Sequence, residues 1–385
     1  MTSRERVERA FAHQEADRTP VFEQTVCSRI ASEIMGRKMR TGGGRIRWEE
    51  TSARWESEQA WQDYVGQMLE DVGDLTRELD HDIAHIPWRH SARPSAKLDE
   101  FTFRYDDSAT ETWTIYHYDE TADVFDQVDS SVDREGILAI ERVLGAEKSH
   151  REKPRPPSPE SYENLFKVAR RAGGDRYLIS GEGMVMIPPQ APWLEACAVR
   201  PDLVERYLDP AVEWAEVAFP VMAELGIGCL WAGGDLASSK GPIYSPAMFR
   251  RFILPRLKRI VKAAHGAGLV YLFRTDGNVW SIAEDLLVNS GVDGYGEIDM
   301  DAGMLPTEIK KRYPHLTLWG GISCGRMLCF GTPEEIREHV KRTMEECALG
   351  GGLIFGSSNS IHNGIPTRNY MAMHEAAMEF GVYGR

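Results

Sequence analysis

Arg274, Thr275, Asp276, Gly277 and Asn278 follow directly on the apolar run 269–273 (LVYLF), so polar groups stand at the end of what reads as a buried strand. An arginine in such a place pairs with a carboxylate or binds an anionic group of a ligand. Other apolar runs end similarly, in Gln24, His85, Glu182, Asp235, Glu297 with Asp299, Ser323 and Asn359. Brought to one mouth, these residues would line an acidic cavity with one arginine. Acids crowded into a partly dry cavity share protons, bind a metal or pair with cations, because isolated buried charge is costly. Asp276, Glu297, Asp235 and Glu182 are therefore candidate catalytic acids, and Asp276, Glu297 and Glu182 candidate metal ligands. Arg274, Asn359, Ser323, Gln24, His85 and Asn278 are candidate substrate contacts. Plainer roles compete: Asp276, Asn278, Glu182 and Asp235 could cap following helices, Asp299 and Asp301 read best as solvated loop acids, and His362 as a surface or capping histidine.

Gathering such residues requires parallel strands that end on one side. From Tyr177 onward, short apolar runs recur at 177–183, 227–235, 269–277, 292–299, 316–323 and 352–359, separated by helical patterns. With earlier candidates at Val21–Gln24 and His81–Trp88 they make eight strands, the count of a (β/α)8 TIM barrel of the α/β class. A doubly wound open sheet would show a glycine fingerprint after its first strand. None is present, since Gly181-Glu182-Gly183 lacks the third glycine, and neither an NAD nor a flavin site is expected.

N-terminal helices are expected at Ser3–Ala12, Ser28–Met35 and Trp48–Val72. Gly42, Gly43 and Gly44 read as a linker or mobile flap, without the lysine of a phosphate-binding loop. FTFRYDD and ETWTIYHYDE alternate at period two around a polar turn, which predicts a β-hairpin inserted at about Ala92–Val132. The run KPRPPSP, Lys153–Pro159, reads as a stiff connector closing the insertion. Near the C-terminus, Thr332 and Glu335 form a capping box around Pro333, and a helix starting at Ser245-Pro246 should kink or split at Pro255. Residues 1–385 thus read as one barrel domain with an insertion at about 92–159.

The formal charge of −14 argues against nucleic acid or an anionic membrane as the main partner. No apolar run approaches the roughly 20 residues of a membrane helix, and the start MTSRERVERAF is charged, so a cytoplasmic protein acting on a small molecule is expected. The six cysteines form no CxxC pair and read as reduced.

The segments RERVERAFAHQEADRTPV, GGDLASSKGPIYSPAMFRRFILPRLKRIVKAAHGAG, RTDGN, LWGGIS followed by GTPEEI, and GSSNSIHNGIPTRNYMAM together resemble the uroporphyrinogen decarboxylase superfamily, which includes cobalamin-linked methyltransferases. The resemblance spans nearly the whole chain and is weakest from Ala92 to Pro159. It implies a TIM barrel with its site at the mouth. It also implies, for a true decarboxylase, paired arginines after the first strand, where this chain reads EQTVCSRIAS with Arg29 alone nearby. The decarboxylase aspartate falls on Asp82 and its histidine on Asn359. The zinc-binding His-x-Cys and distant cysteine of the similar thiol methyltransferases fall on Arg274, Asp276 and Asn359. A divalent metal, zinc first, is expected only through the acids named above.

The reading that remains is methyl transfer from, or demethylation of, a small methylated substrate, passing the methyl group to a corrinoid on a partner protein. A decarboxylase or other carbon-carbon lyase is the alternative, and a non-catalytic binding barrel is a third. The surface around the insertion could serve as a lid or as a homodimer contact.

Overall fold

The computed structural model describes residues 1–150 and 154–384, so Lys153 of the expected connector lies outside the described residues. Seven parallel strands succeed one another in chain order: β1 (Ile83–Ala84), β2 (Tyr177–Ser180), β3 (Cys229–Gly233), β4 (Val270–Arg274), β5 (Gly294–Gly296), β6 (Thr317–Ile322) and β7 (Leu353–Ser357). Residues 20–22 close the curled sheet between β7 and β1. Phe22 N donates to Phe355 O (2.9 Å), Phe355 N to Pro20 O (2.8 Å) and Asp82 N to Val21 O (2.9 Å). The α/β architecture is that of a TIM barrel.

The first two strands are shorter than their apolar runs suggest. Pro20 has no N–H, and the Val21 N–H goes to the Asp82 carboxylate (2.8 Å), so the expected Val21–Gln24 strand reduces to isolated bridges at Val21 and Val26. The contact with β7 depends on Gly356, where a Cβ would lie 2.2 Å from Phe22 O.

Strand parity sorts the side chains. Cys229 and Trp231, Leu272, Trp319, Ile354, Tyr177 and Ile179 pack with Phe22 inside the barrel, whereas Leu230, Ala232, Tyr271 and Phe273 face the surrounding helices. Two positions beyond Leu272 and four beyond Val270, Arg274 therefore caps the interior stack. The helix Ser3–Phe11 closes the opposite end with Val7 and Ala10, and Thr317 Oγ1 donates to Ala10 O (3.2 Å).

Asp82 belongs to that closed end. It precedes β1, is fully buried, and is held by Arg18 (2.6 Å) and Arg6 (3.1 Å). The match implied by resemblance to a decarboxylase aspartate is thus not a mouth residue: it lies at the wrong end of its strand.

The expected long helix is two, Gly44–Glu56 and Glu58–Glu78, because Ser57 leaves helical geometry and caps the second through Ala60 N (3.0 Å). The glycine triplet is not a free flap. Gly44 N donates to Asp123 O (2.8 Å), and a Cβ on Gly43 would meet Asp123 Oδ2 at 2.2 Å, so these glycines allow the loop to press against the insertion. The predicted hairpin, Thr102–Asp107 with Thr112–Asp119, is part of a four-stranded antiparallel sheet that adds Ala96–Lys97 and Val124–Ser130 around Phe103, Tyr118 and Phe125. The Thr332 capping box starts the helix Pro333–Cys347. The helix at Pro246 passes through a π turn, Phe249–Ile253, before restarting at Leu254 with Pro255 in its first turn. Among the described residues no helix is long and apolar enough to cross a membrane.

Candidate active site

Arg274 and Glu297 meet at the mouth as a buried pair, with Nη1 to Oε1 at 3.0 Å and side-chain exposures of 7% and 2%. Glu297 Oε1 also accepts from Gln24 Nε2 (2.6 Å), and the Arg274 guanidinium lies 4.7 Å from the ring centre of Trp88. Burial raises the Glu297 pKa despite Arg274 and the Gln24 amide, which both lower it. Glu297 has a left-handed backbone (φ 59°), costly for a residue with a side chain and here kept by its hydrogen bonds.

Asp276 and Asn359, 83 residues apart, are joined by Asn359 Nδ2 to Asp276 Oδ2 at 2.5 Å. Asn359 Oδ1 accepts from Gln24 Nε2 (3.2 Å), linking Asp276 to the Glu297 and Arg274 pair. The Asp276 pKa is pushed up to about 8, first by burial, then by Glu297, Asp235 and Asp299. Four acids are thus within electrostatic reach, although Asp235 is exposed and Asp299 caps a 3-10 turn through Ala302 N (3.1 Å). Asp276 is therefore the acid of this group that keeps its proton into the neutral range.

Below the rim is a cavity of about 200 Å³, lined by Phe22, Trp88, Tyr162, Trp231, Leu165, Ile179 and the polar groups of Gln24, His85, Ser180, Glu182, Arg274 and Ser360. Glu182 lines this cavity, which Asp276, Glu297, Asp235 and Asp299 do not, and it accepts from Trp214 Nε1 (2.7 Å) and Tyr162 Oη (3.5 Å). His85 Nε2 contacts Gln24 O; burial, helped by the Arg274 charge, lowers its pKa to about 4 and keeps the ring neutral.

Two expected contacts are used elsewhere. Ser323 Oγ bonds Asp301 and accepts from Arg326 N (2.9 Å). Asn278 donates to Ala302 O (3.1 Å) and accepts from Trp280 N (3.1 Å), holding the turn after β4. His362 is exposed, with Nε2 3.7 Å from Cys329 Sγ.

Glu23, next to Gln24 and fully buried, is a residue that pattern reading passed over. Its Oε1 accepts from Ser357 N (2.9 Å), and its Oε2 lies 2.5 Å from Ser357 Oγ, which also contacts the carbonyl oxygen of Asn359. A serine hydroxyl has one proton and a carbonyl has none, so both contacts are hydrogen bonds only if Glu23 supplies the second. Burial pushes its pKa up to about 8, in agreement. A raised folded pKa gives stability that is full below the ordinary carboxylate range and is lost as pH rises through the folded value. Glu23→Gln keeps a donor to Ser357 Oγ and an acceptor for Ser357 N. The variant should therefore show a flatter melting temperature between about pH 5 and about pH 9 than the parent; an unchanged slope would mean that Glu23 is ionised.

The candidate metal ligands do not form one centre. Glu297 is engaged by Arg274 and Gln24, Asp276 by Asn359, and Glu182, in the cavity, by Trp214. Among the described residues no group of three or more His, Cys, Asp or Glu is arranged to hold a metal ion. A guanidinium where a thiolate-zinc site would need a ligand fits a cation poorly, so the donor set does not fit zinc.

Residues 191–380 match the uroporphyrinogen decarboxylase (URO-D) family. No curated protein matches the chain in sequence. Among solved structures, a methyltransferase from Methanosarcina mazei superposes with a TM-score of 0.63 at 18% identity, covering 99% of each chain. A sugar phosphate isomerase/epimerase from Parabacteroides distasonis covers 58% of this chain and 78% of its own, with a TM-score of 0.33 at 13% identity. D-psicose 3-epimerase from Clostridium cellulolyticum covers 66% of this chain and 94% of its own, with a TM-score of 0.34 at 11% identity.

Proposed function

We propose that the chain, a member of the uroporphyrinogen decarboxylase-like superfamily by the match over residues 191–380, transfers a methyl group from a small methylated donor to a corrinoid carried by a partner protein. The observation that carries this reading is Asp276, an acid whose pKa is raised first by burial and then by neighbouring acids, and which is joined through Asn359 to Gln24 in the wall of a small aromatic cavity. When a methyl group departs, its heteroatom keeps the bonding pair and needs a proton. Asp276, linked to the cavity wall through Asn359 and Gln24, is the candidate donor, with Asn359 fixing one carboxyl oxygen. Phe22 and Trp231 give the donor an apolar wall, and Gln24 and Arg274 present polar contacts. The cavity is far smaller than a corrin ring. A reduced corrinoid would meet the donor from outside, supplying the nucleophile that accepts the methyl group. The methyltransferase likeness agrees at the level of fold.

Decarboxylation of a polycarboxylate has less support, because the single arginine in the cavity is already neutralised by Glu297. The test follows the visible spectrum of a reduced corrinoid mixed with the protein and a panel of methyl ethers and methylated amines. Conversion that needs both protein and donor is expected. A flat trace across the panel refutes methyl transfer, and coproporphyrinogen formed from uroporphyrinogen would install decarboxylation instead.

A further inference from the structure

Glu182 is the only carboxylate lining the aromatic cavity among the described residues, and it has no cationic partner there. Its hydrogen-bond donors, the Trp214 indole and the Tyr162 hydroxyl, are both neutral. The cavity's two basic side chains do not compensate it. Arg274 is committed to Glu297 at 3.0 Å, and His85 is held neutral by burial. One negative charge is therefore left over in a space of about 200 Å³.

The walls favour the same kind of ligand. Phe22, Trp88, Tyr162 and Trp231 all line the cavity, with Phe22 and Trp231 packed edge to face at 5.2 Å. Aromatic faces are electronegative and attract organic cations, the more so where water is excluded. The cavity suits a compact, apolar-skinned cation better than a neutral molecule or an anion. The chain's charge of −14 would draw cations toward it.

We propose that this cavity is a recognition site for a methylated ammonium ion, with Glu182 as its counterion and Phe22, Tyr162 and Trp231 as its cage. This narrows the methyl-transfer reading and rests on it for the fate of the bound ion: the donor becomes a tertiary or quaternary amine rather than a methyl ether. On transfer the C–N bond breaks, its electron pair stays on nitrogen, and the amine departs neutral, to be protonated at the mouth by Asp276 or by water. An alkylamine of basicity like lysine, about 10.4, draws a proton readily from an acid near 8.

Binding tests the site without any turnover. Choline and its neutral isostere 3,3-dimethylbutan-1-ol differ at one position, N⁺ against carbon. Calorimetric titration of the wild-type protein should show choline bound at least about tenfold more tightly, the effect of one desolvated cation–π and charge contact. Glu182→Gln, checked for folding by circular dichroism, should reduce that preference at least severalfold, leaving only the aromatic contribution. Equal affinity for the two probes, no binding of choline, or a preference undiminished in Glu182→Gln would each overturn the proposal. Choline preference without methyl transfer to a corrinoid supports the site and refutes the reaction. Methyl transfer from ethers with no choline preference does the reverse.

Discussion

Asp276→Asn is expected to lower turnover by about 10²–10⁴-fold, the usual worth of a positioned general acid, while making the protein more stable at alkaline pH. The two effects share one origin. The Asp276 carboxyl is crowded by Glu297, Asp235 and Asp299 and partly withdrawn from water, so ionising it is unfavourable. Its raised folded pKa contributes stability that is full below the ordinary carboxylate range and disappears as pH rises through about 8. An asparagine cannot ionise, accepts the same bond from Asn359 Nδ2, and removes that alkaline loss. The parent's rate should fall above about pH 8, tenfold per unit, as the acid form is depleted. Rate measurements with the best donor and melting curves at about pH 9 check both limbs. A variant with full activity would remove Asp276 from the chemistry; a variant less stable than its parent at alkaline pH would show that the crowding is not repulsive.

Arg274→Met should cost about 3–5 kcal/mol near neutral pH, the usual penalty for leaving one member of a buried ion pair without its partner. Glu297 would retain the Gln24 amide but lose the guanidinium, and Trp88 would lose the cation above its ring. The penalty should depend on pH in a definite direction. Without Arg274 the Glu297 pKa rises further, so the variant gains stability when Glu297 is protonated and loses it as pH rises through that higher value. Denaturant unfolding at about pH 5 and about pH 8.5 should therefore show a smaller deficit under acid conditions. Adding Glu297→Gln should recover most of the loss, because the stranded charge is gone. An equal deficit at both pH values would mean that the lost packing of the arginine stem, and not the charge, dominates.

The positions of Arg274, Asp276, Glu297 and Asn359 at strand ends were legible in sequence because each follows an apolar run that stops abruptly, and parallel strands deliver such ends to one side. The capping box at Thr332 was legible for a similar reason: its hydrogen bonds close within four residues. The first two strands were not, since their pairing depends on Pro20 and on an Asp82 carboxylate that takes up a backbone donor. Nor was the third long strand of the inserted sheet. Val124–Ser130 has two aspartates and faces its own small core, so its alternation was weak.

Ser323 and Asn278 show the limit of reading strand ends alone. Both stand where a mouth residue should, yet each is held by neighbouring loops, and only three-dimensional hydrogen bonding decides which way such a side chain faces. Glu23 shows the converse, a buried acid under the mouth that no local pattern marks.

What the sequence by itself determined is the barrel, the acidic character of its mouth and the presence of one arginine there, because strand periodicity and residue type are local properties. The tertiary structure alone decided which acids keep their protons, that Arg274 belongs to Glu297, and that Glu182 stands apart among aromatic side chains. Proton retention, ion pairing and desolvation depend on distances of a few ångströms between residues far apart in the chain, and sequence separation does not carry those distances.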